Sequence, residues 1–129
     1  MKKVPCFILA RKNSKAIKNK NITSLGGIPL IMHTINYVKK SKLISDIVIS
    51  TDDLKVAKIA KKNKCFVIFP RPKKLSNDNA PTEVALYHAL KIYETKKKKV
   101  DIIAYVQVTE PFRPKGILDK CVQKLFKNK

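Results

Sequence analysis

Long apolar stretches, acidic residues and glycines are all scarce in this sequence of 129 residues. No segment approaches the roughly 18 consecutive apolar residues that a membrane-spanning helix needs, so we expect a soluble chain with no membrane partner. Acidic residues number 9 against 29 basic ones, which gives a formal net charge of +20. This charge attracts polyphosphates or nucleic acids, and it says more about partners than about the fold.

Cysteine occurs at three widely spaced positions inside apolar runs, Cys6, Cys65 and Cys121. An odd number with this spacing gives neither a disulfide framework nor a set of metal ligands. We interpret all three as buried free thiols of a reducing compartment, which predicts a cytoplasmic location. His33 and His88 lie in predicted helices without partners at catalytic or metal-ligand spacing, so both are interpreted as structural.

Apolar runs of strand length alternate with segments of helical period along the chain. The first run is too short for a signal peptide, contains a proline and shows no cleavage site. The predicted strands span 4–10, 47–51, 65–69 and 102–108, and the predicted helices span 29–40, 52 onward, 81–95 and 114–126. This β-α-β-α order predicts one α/β domain over residues 1–129, a parallel sheet with helices on both faces.

Helical periodicity also predicts which side chains face the core. The predicted inward positions are Leu30, Ile31, Thr34, Ile35 and Val38 in the first helix, Val56, Ala57, Ile59 and Ala60 in the second, and Val84, Leu86, Leu90 and Tyr93 in the third.

Arginine occurs only three times, at Arg11, Arg71 and Arg113, each just after a predicted strand or in a loop marked by proline. Its planar guanidinium binds phosphate or a base edge in two places, whereas lysine is a mobile point charge. The arginines therefore indicate positions where the orientation of the cation relative to its ligand matters. Lysine runs such as residues 96–99 are interpreted as solvated surface.

Polar residues collect where the predicted strands end, which is the edge at which parallel sheets bind ligands. This edge holds Arg11, Asp52, Arg71 and Gln107. Asp52 and Asp53 also stand at a predicted helix start, where carboxylates accept backbone hydrogen bonds and complement the helix dipole. We favour that role over metal binding and keep Asp52 as a candidate local contact.

The loop from Ala10 to Asn21 carries one arginine, four lysines and several small polar residues. A loop of this kind at the end of a strand can surround a triphosphate with cations, hydroxyls and backbone amides. It is not a Walker loop, because it lacks the glycines. From the residues alone, a solvated basic loop is an equally good interpretation.

Five sequence blocks occur in an order that resembles the acylneuraminate cytidylyltransferases, also called CMP-sialic acid synthetases. The blocks are Arg11 with Asn13-Ser14-Lys15 and Lys20-Asn21, then 25–30, Ser50-Thr51-Asp52-Asp53, Arg71-Pro72 with Leu75, and 107–113. The resemblance covers essentially the whole chain, but only about the amino-terminal half of such an enzyme.

The resemblance implies a Rossmann-like nucleotidyltransferase that joins CTP to an acidic nine-carbon sugar and releases pyrophosphate. It assigns catalysis to Arg11, Lys15 and Lys20. It assigns substrate binding to Asn13, Ser14, Asn21, Arg71, Thr82, Gln107 and Arg113. Within this set, Arg71 and the segment around Thr82 would recognise cytidine, and Gln107 would face the sugar. The resemblance also implies Mg²⁺, whose usual aspartate ligands lie beyond Lys129, and a homodimer only for a full-length enzyme.

Several positions depart from the family pattern. Ala16 and Lys18 stand where glycine and proline are usual, and Val108 and Glu110 replace proline and serine. A carboxylate at 110 repels an acidic sugar unless Arg113 pairs with it. The sugar is therefore the most open part of the prediction, and pseudaminic, legionaminic and 3-deoxy-manno-octulosonic acid are the alternatives to sialic acid.

A second alternative is a non-catalytic basic chain that binds nucleotide or nucleic acid. The aromatic residues do not interleave with the basic ones, as stacking platforms for single strands require, so nucleic acid is the less favoured partner. A parallel sheet that ends at a fourth strand also leaves edges that later strands normally cover. We therefore expect an amino-terminal portion of a cytidylyltransferase with a half-built pocket, which would be a poor catalyst alone.

Overall fold

The computed structural model describes residues 3–12, 24–25, 27–76, 81–108 and 117–127. These residues form β1 (Val4–Ala10), β2 (Ser24–Leu25), β3 (Ile28–Pro29), α1 (Leu30–Lys39), β4 (Ile44–Thr51), α2 (Leu54–Lys62), β5 (Phe66–Ile68), α3 (Thr82–Lys96), β6 (Ala104–Tyr105) and α4 (Ile117–Lys127). A single 3₁₀ turn, Lys73–Leu75, follows β5. No helix of this described part is long and apolar enough to span a membrane.

The main sheet has the strand order β5-β4-β1-β6, and every pairing within it is parallel. From β1 the chain moves outward through β4 to β5 and then returns to the other side of β1 with β6. The strand order therefore reverses beside β1, and in open α/β sheets ligands bind at the carboxyl ends of the strands next to such a reversal. The predicted parallel sheet is confirmed.

Helices cover both faces of this sheet. Alternate residues of β1 point to opposite faces and pack against different helices. Cys6, Ile8 and Ala10 pack in one buried cluster with apolar residues of α1 and α2. Phe7 packs in a second cluster with residues of α3, including Ala89. The predicted arrangement of helices on both faces is confirmed.

Tyr93 of α3 anchors the second cluster. Its ring meets Phe7 and Phe66 edge to face, at centroid distances of 5.7 and 5.4 Å. Its hydroxyl donates a hydrogen bond of 2.5 Å to Asp46 Oδ2, near the start of β4. Burial and this bond raise the pKa of Tyr93 to about 12. The carboxyl end of α3 therefore lies beside the amino ends of the strands.

Helix α4 is attached at the amino edge of the sheet through Asp119. This carboxylate accepts hydrogen bonds from the Ser41 hydroxyl and from the backbone amides of Lys42 and Leu43, the latter two at 3.0 and 3.1 Å. Three residues later, Val122 packs with Val4 and Leu43 in a small buried cluster. One turn of α4 therefore supplies both a polar and an apolar attachment.

Some predicted elements differ in extent from the observed ones. The fourth strand is Ala104–Tyr105 rather than 102–108, because its described pairing with β1 covers two residue pairs. The first two main helices begin at Leu30 and Leu54, each preceded by its N-cap residue. The polar loop after β1 contains the short antiparallel β2-β3 ribbon, whose turn residue Gly27 has a φ of 81°, a value that favours glycine.

The predicted burial of three side chains is also wrong. Val84 is 47% exposed, because α3 buries Ala85, Ala89 and Tyr93 instead. Cys121 is exposed and Cys65 is only partly buried, whereas Cys6 is fully buried. Partial burial raises the pKa of the Cys65 thiol to about 11, against an opposing effect of Lys39.

Candidate functional site

Thr51, the last residue of β4, connects three segments at the carboxyl edge of the sheet. Its buried hydroxyl donates to the Ala10 carbonyl oxygen at 2.5 Å and accepts from the Asp53 amide at 3.0 Å. Its own carbonyl accepts from the Arg71 amide at 2.9 Å. The ends of β1 and β4 and the loop after β5 are thereby held at fixed positions relative to one another.

The two aspartates after Thr51 have separate roles. Asp53 is the N-cap of α2, and its carboxylate accepts a 2.9 Å hydrogen bond from the Lys55 amide. This is the helix-start role that the sequence predicted. Asp52 instead accepts a 2.6 Å hydrogen bond from the backbone amide of Lys12, in the basic loop after β1. The candidate local contact of Asp52 is therefore a contact between two loops.

Arg71 is the buried cation of the site. Its side chain is only 4% exposed, and its Nε has no hydrogen-bond acceptor among the described residues. Burial lowers the pKa of its guanidinium, Asp52 raises it, and Arg11 lowers it further. Arginine nevertheless remains protonated in proteins. A buried donor without an acceptor is costly, and an acceptor placed beside Nε would remove that cost.

Tyr105 and Gln107 extend the site from the other side of β1. They alternate with buried Val106 and Val108, so both lie on the same face of the chain leaving β6. Burial raises the pKa of Tyr105, whereas a side-chain hydrogen bond with Gln107 and the charge of Arg71 lower it. The sequence predicted Gln107 at this edge but not Tyr105. The alternation with Val106 and Val108 places Tyr105 on the same face as Gln107, and this pattern could have identified it.

Thr82 is the first residue of α3 and is exposed. Because the carboxyl end of α3 lies beside Asp46 at the amino edge of the sheet, Thr82 lies toward the opposite edge, where Arg71 is found. A helix amino terminus carries a partial positive charge that favours an anionic ligand. The structure thus places Thr82 on the ligand edge without a direct contact to Arg71 among the described interactions.

The structure brings together part of the predicted site. Asp52 attracts the guanidinium of Arg71, and Arg11 repels it. The charge of Arg71 also acts on Tyr105, which forms a side-chain hydrogen bond with Gln107. The remaining predicted residues lie outside the described residues, and their roles stay predictions. They are Asn13, Ser14, Lys15, Lys20, Asn21 and Arg113.

The two described carboxylates that follow Thr51 already accept hydrogen bonds from the protein. Within the described ranges, no group of three or more histidine, cysteine, aspartate or glutamate residues is placed to hold a metal ion. Asp52 and Asp53 already accept backbone hydrogen bonds, and Asp52 faces a buried arginine. Magnesium usually binds through one or two carboxylates together with substrate phosphates and water, so these hydrogen bonds reduce the number of free oxygens that Asp52 and Asp53 offer to it.

Comparisons with known proteins agree with this architecture. The chain is 33% identical over 123 residues to a pseudaminic acid cytidylyltransferase of Campylobacter jejuni, covering 95% of this chain and 53% of the relative. It is 32% identical over 111 residues to an N-acylneuraminate cytidylyltransferase of Escherichia coli, covering 86% and 25%. Its fold matches a CMP:2-keto-3-deoxy-manno-octonic acid synthetase complexed with CTP, with a TM-score of 0.77 at 20% identity over 97% of this chain and 48% of that one.

The chain thus spans about half the length of the Campylobacter relative that it matches. The family whose description is "Cytidylyltransferase" matches residues 6–129, which is nearly the whole sequence. The resemblance found in the five sequence blocks is therefore confirmed, and the Rossmann-like nucleotidyltransferase fold with it. This chain belongs to the cytidylyltransferase family.

Proposed function

We propose that this chain forms the nucleotide-binding part of an enzyme that transfers CMP from CTP to an acidic nine-carbon sugar and releases pyrophosphate. The observation that carries the proposal is Arg71, a buried guanidinium whose Nε lacks an acceptor among the described residues, beside Arg11 at the ligand edge. Membership of the cytidylyltransferase family supports it.

In this reaction the anomeric hydroxyl of the sugar attacks the α-phosphorus of CTP, and the bond to pyrophosphate breaks. Negative charge develops on the phosphoryl oxygens and on the leaving group. Fixed cations aimed at that charge lower the barrier without covalent catalysis. Arg11 is the described cation suited to this task, and Lys15 and Lys20 are assigned to it by the family resemblance.

Arg71 is assigned to the nucleotide base. Cytosine presents two adjacent acceptors, its O2 and N3 atoms, and a planar guanidinium can donate to such an edge in a defined orientation. A buried donor discriminates strongly against ligands that leave it unpaired. Arg71 therefore supplies a physical reason for a preference for CTP over nucleotides with a different base edge.

The sugar is assigned to the side of β6, where Tyr105 and Gln107 lie. Relatives named for pseudaminic acid and for N-acylneuraminate both support an acidic nine-carbon substrate. We keep pseudaminic, legionaminic and sialic acid as members of this class, with 3-deoxy-manno-octulosonic acid as the eight-carbon alternative. Cytoplasmic location, Mg²⁺ and a homodimer of a full-length enzyme belong to the same proposal, and no step above depends on them.

Calorimetric titration with CTP, UTP and ATP tests the nucleotide assignment, at moderate salt that screens non-specific charge. We expect the chain to prefer CTP. Arg71→Ala should weaken CTP binding by about 10-fold or more, because a hydrogen bond to a charged group is worth about 1.5–3 kcal/mol. Arg11→Ala and Lys20→Ala should abolish detectable binding.

The matched control is Lys97→Ala, which removes one positive charge from an exposed position at the end of α3. It should leave CTP affinity unchanged. If all of these variants lost affinity to the same extent, or if a single-stranded polynucleotide bound with equal affinity and a steep salt dependence, the specific nucleotide site would be refuted. Pyrophosphate release with each acidic sugar in turn then identifies the acceptor.

A further inference from the structure

Asp52 lies between the two loops that carry the described arginines of the site. Its carboxylate accepts the 2.6 Å hydrogen bond from the Lys12 amide, one residue after Arg11. The residue before it, Thr51, accepts the 2.9 Å hydrogen bond from the Arg71 amide. A single dipeptide at the end of β4 therefore holds the backbone of both loops.

Asp52 also places a negative charge near Arg71. Its charge attracts the Arg71 guanidinium, which Arg11 repels. Arg71 is 4% exposed, so water screens these interactions weakly at its position. Without Asp52, its attraction would no longer oppose the repulsion between Arg11 and Arg71.

We propose that Asp52 is a positioning residue that sets the separation of Arg11 and Lys12 from Arg71, so that one nucleoside triphosphate can contact both arginines. The inference rests on the proposed function, because it takes a triphosphate with a pyrimidine base as the ligand. It adds a specific role for a carboxylate that lies beside an anion site.

The proposal predicts that CTP affinity falls when Asp52 is removed, whereas electrostatics alone predicts that it rises. If Asp52 acted only through its charge, its removal would make the site more positive and tighten the binding of every polyphosphate. If Asp52 holds the two loops, its removal weakens the ligand that needs both loops and spares a ligand that needs only cations. CTP is the first kind of ligand, and inorganic tripolyphosphate is the second.

Two substitutions separate the hydrogen bond from the charge. Asp52→Asn keeps an oxygen that accepts from the Lys12 amide and removes the charge, and it is nearly the same size. Asp52→Ala removes both. The matched control is Asp53→Asn, which makes the same charge change at the adjacent position and retains an N-cap side chain, since asparagine caps helices as well as aspartate does.

Calorimetry with CTP and with tripolyphosphate gives the ligand test. We expect Asp52→Asn to bind CTP about 3- to 10-fold more weakly, because it loses one charge-assisted contact. We expect Asp52→Ala to bind CTP about 10- to 30-fold more weakly, because it loses two contacts. Tripolyphosphate affinity should stay unchanged or rise, and Asp53→Asn should match the wild type. Tighter CTP binding by Asp52→Asn would overturn the proposal.

An amide ¹⁵N–¹H spectrum of the chain without ligand gives a test that does not depend on CTP. We expect the Lys12 amide and Arg71 Nε–H resonances to move together in both Asp52 variants, while Asp53→Asn moves the Lys55 amide. If neither the Lys12 nor the Arg71 resonance responds to Asp52, the positioning role is wrong. If they respond but wild-type chain shows no preference for CTP, the proposed function fails and the coupling of the loops stands.

Discussion

Replacing Asp119 with alanine removes the carboxylate that joins α4 to the turn between α1 and β4. Three donors converge on this group, the Ser41 hydroxyl and the amides of Lys42 and Leu43. Alanine leaves all three without this acceptor. The same turn of α4 carries Val122, which packs with Val4 and Leu43.

The size of the effect follows from the number and exposure of these bonds. A hydrogen bond to a charged group contributes about 1.5–3 kcal/mol when it is shielded from water. Asp119 is partly exposed, so a value near 1 kcal/mol for each bond is appropriate. Bonds that share one acceptor are not additive, which reduces the sum to about 2–3 kcal/mol. A domain of this size has a free energy of unfolding of about 5–15 kcal/mol, so the loss is substantial.

The effect should depend on pH in a defined direction. Burial raises the pKa of Asp119, but its hydrogen bonds with Ser41, Lys42 and Leu43 outweigh burial, and the folded pKa lies below the ordinary value of 3.8. A lowered folded pKa means that the stabilisation is fully present above the unfolded value near 4. It is lost as the pH falls through the lowered folded pKa.

Urea denaturation of the wild type, Asp119→Ala and Asp119→Asn at pH 7 and at about pH 3 measures this. Asp119→Asn should lie between the other two at pH 7, and the differences should shrink at the lower pH. The control is Asp101→Asn, which removes the charge of an exposed aspartate. The reasoning is refuted if Asp119→Ala stays within about 0.5 kcal/mol of the wild type at pH 7, the range of ordinary surface substitutions.

Three further predictions concern the core and the thiols. Tyr93→Phe removes the hydroxyl that donates to Asp46 and should lower the free energy of unfolding by about 1–2 kcal/mol. Because the folded pKa of Tyr93 is raised to about 12, this contribution should persist below about pH 10 and fade as the pH rises toward 12. Urea titrations at several pH values measure it. Ile35→Ala creates a cavity in the fully buried first cluster and should cost about 2–5 kcal/mol in the same assay. Exposed Cys121 should react with a thiol reagent in the native state, whereas Cys6 should react only after unfolding, and equal rates would contradict the observed burial.

Hydrophobic periodicity predicted the elements whose buried residues can be identified from the local sequence alone. β1 was predicted with its observed bounds because its apolar run ends at a charged residue, where burial also ends. Helix α3 is an element for which periodicity did not identify the buried face. Large apolar side chains indicated Val84 as an inward position, but α3 packs through the small residues Ala85 and Ala89, which allow the helix to approach the sheet closely. Which stripe of a helix faces the sheet depends on the partner surface, and a single sequence does not contain that surface.

The site was predictable as far as topology determines it. Parallel strands place their carboxyl ends at one edge, so the sequence alone predicts that Arg11, Asp52, Arg71 and Gln107 lie together. The contacts among them were not predictable. The Thr51 hydroxyl and the Asp52 carboxylate act across segments far apart in the chain, and the residue types alone are equally compatible with surface positions.

The central position of β1 has a consequence for synthesis on the ribosome. β1 is synthesised before both of its partner strands, and Phe7 pairs with Val48 on one side and with Tyr105 on the other. At about 5–20 residues per second, the second partner appears several seconds after the first. During that interval the most apolar strand of the sheet has one open edge, so the nascent chain should be a substrate for chaperones that bind short apolar segments until β6 emerges.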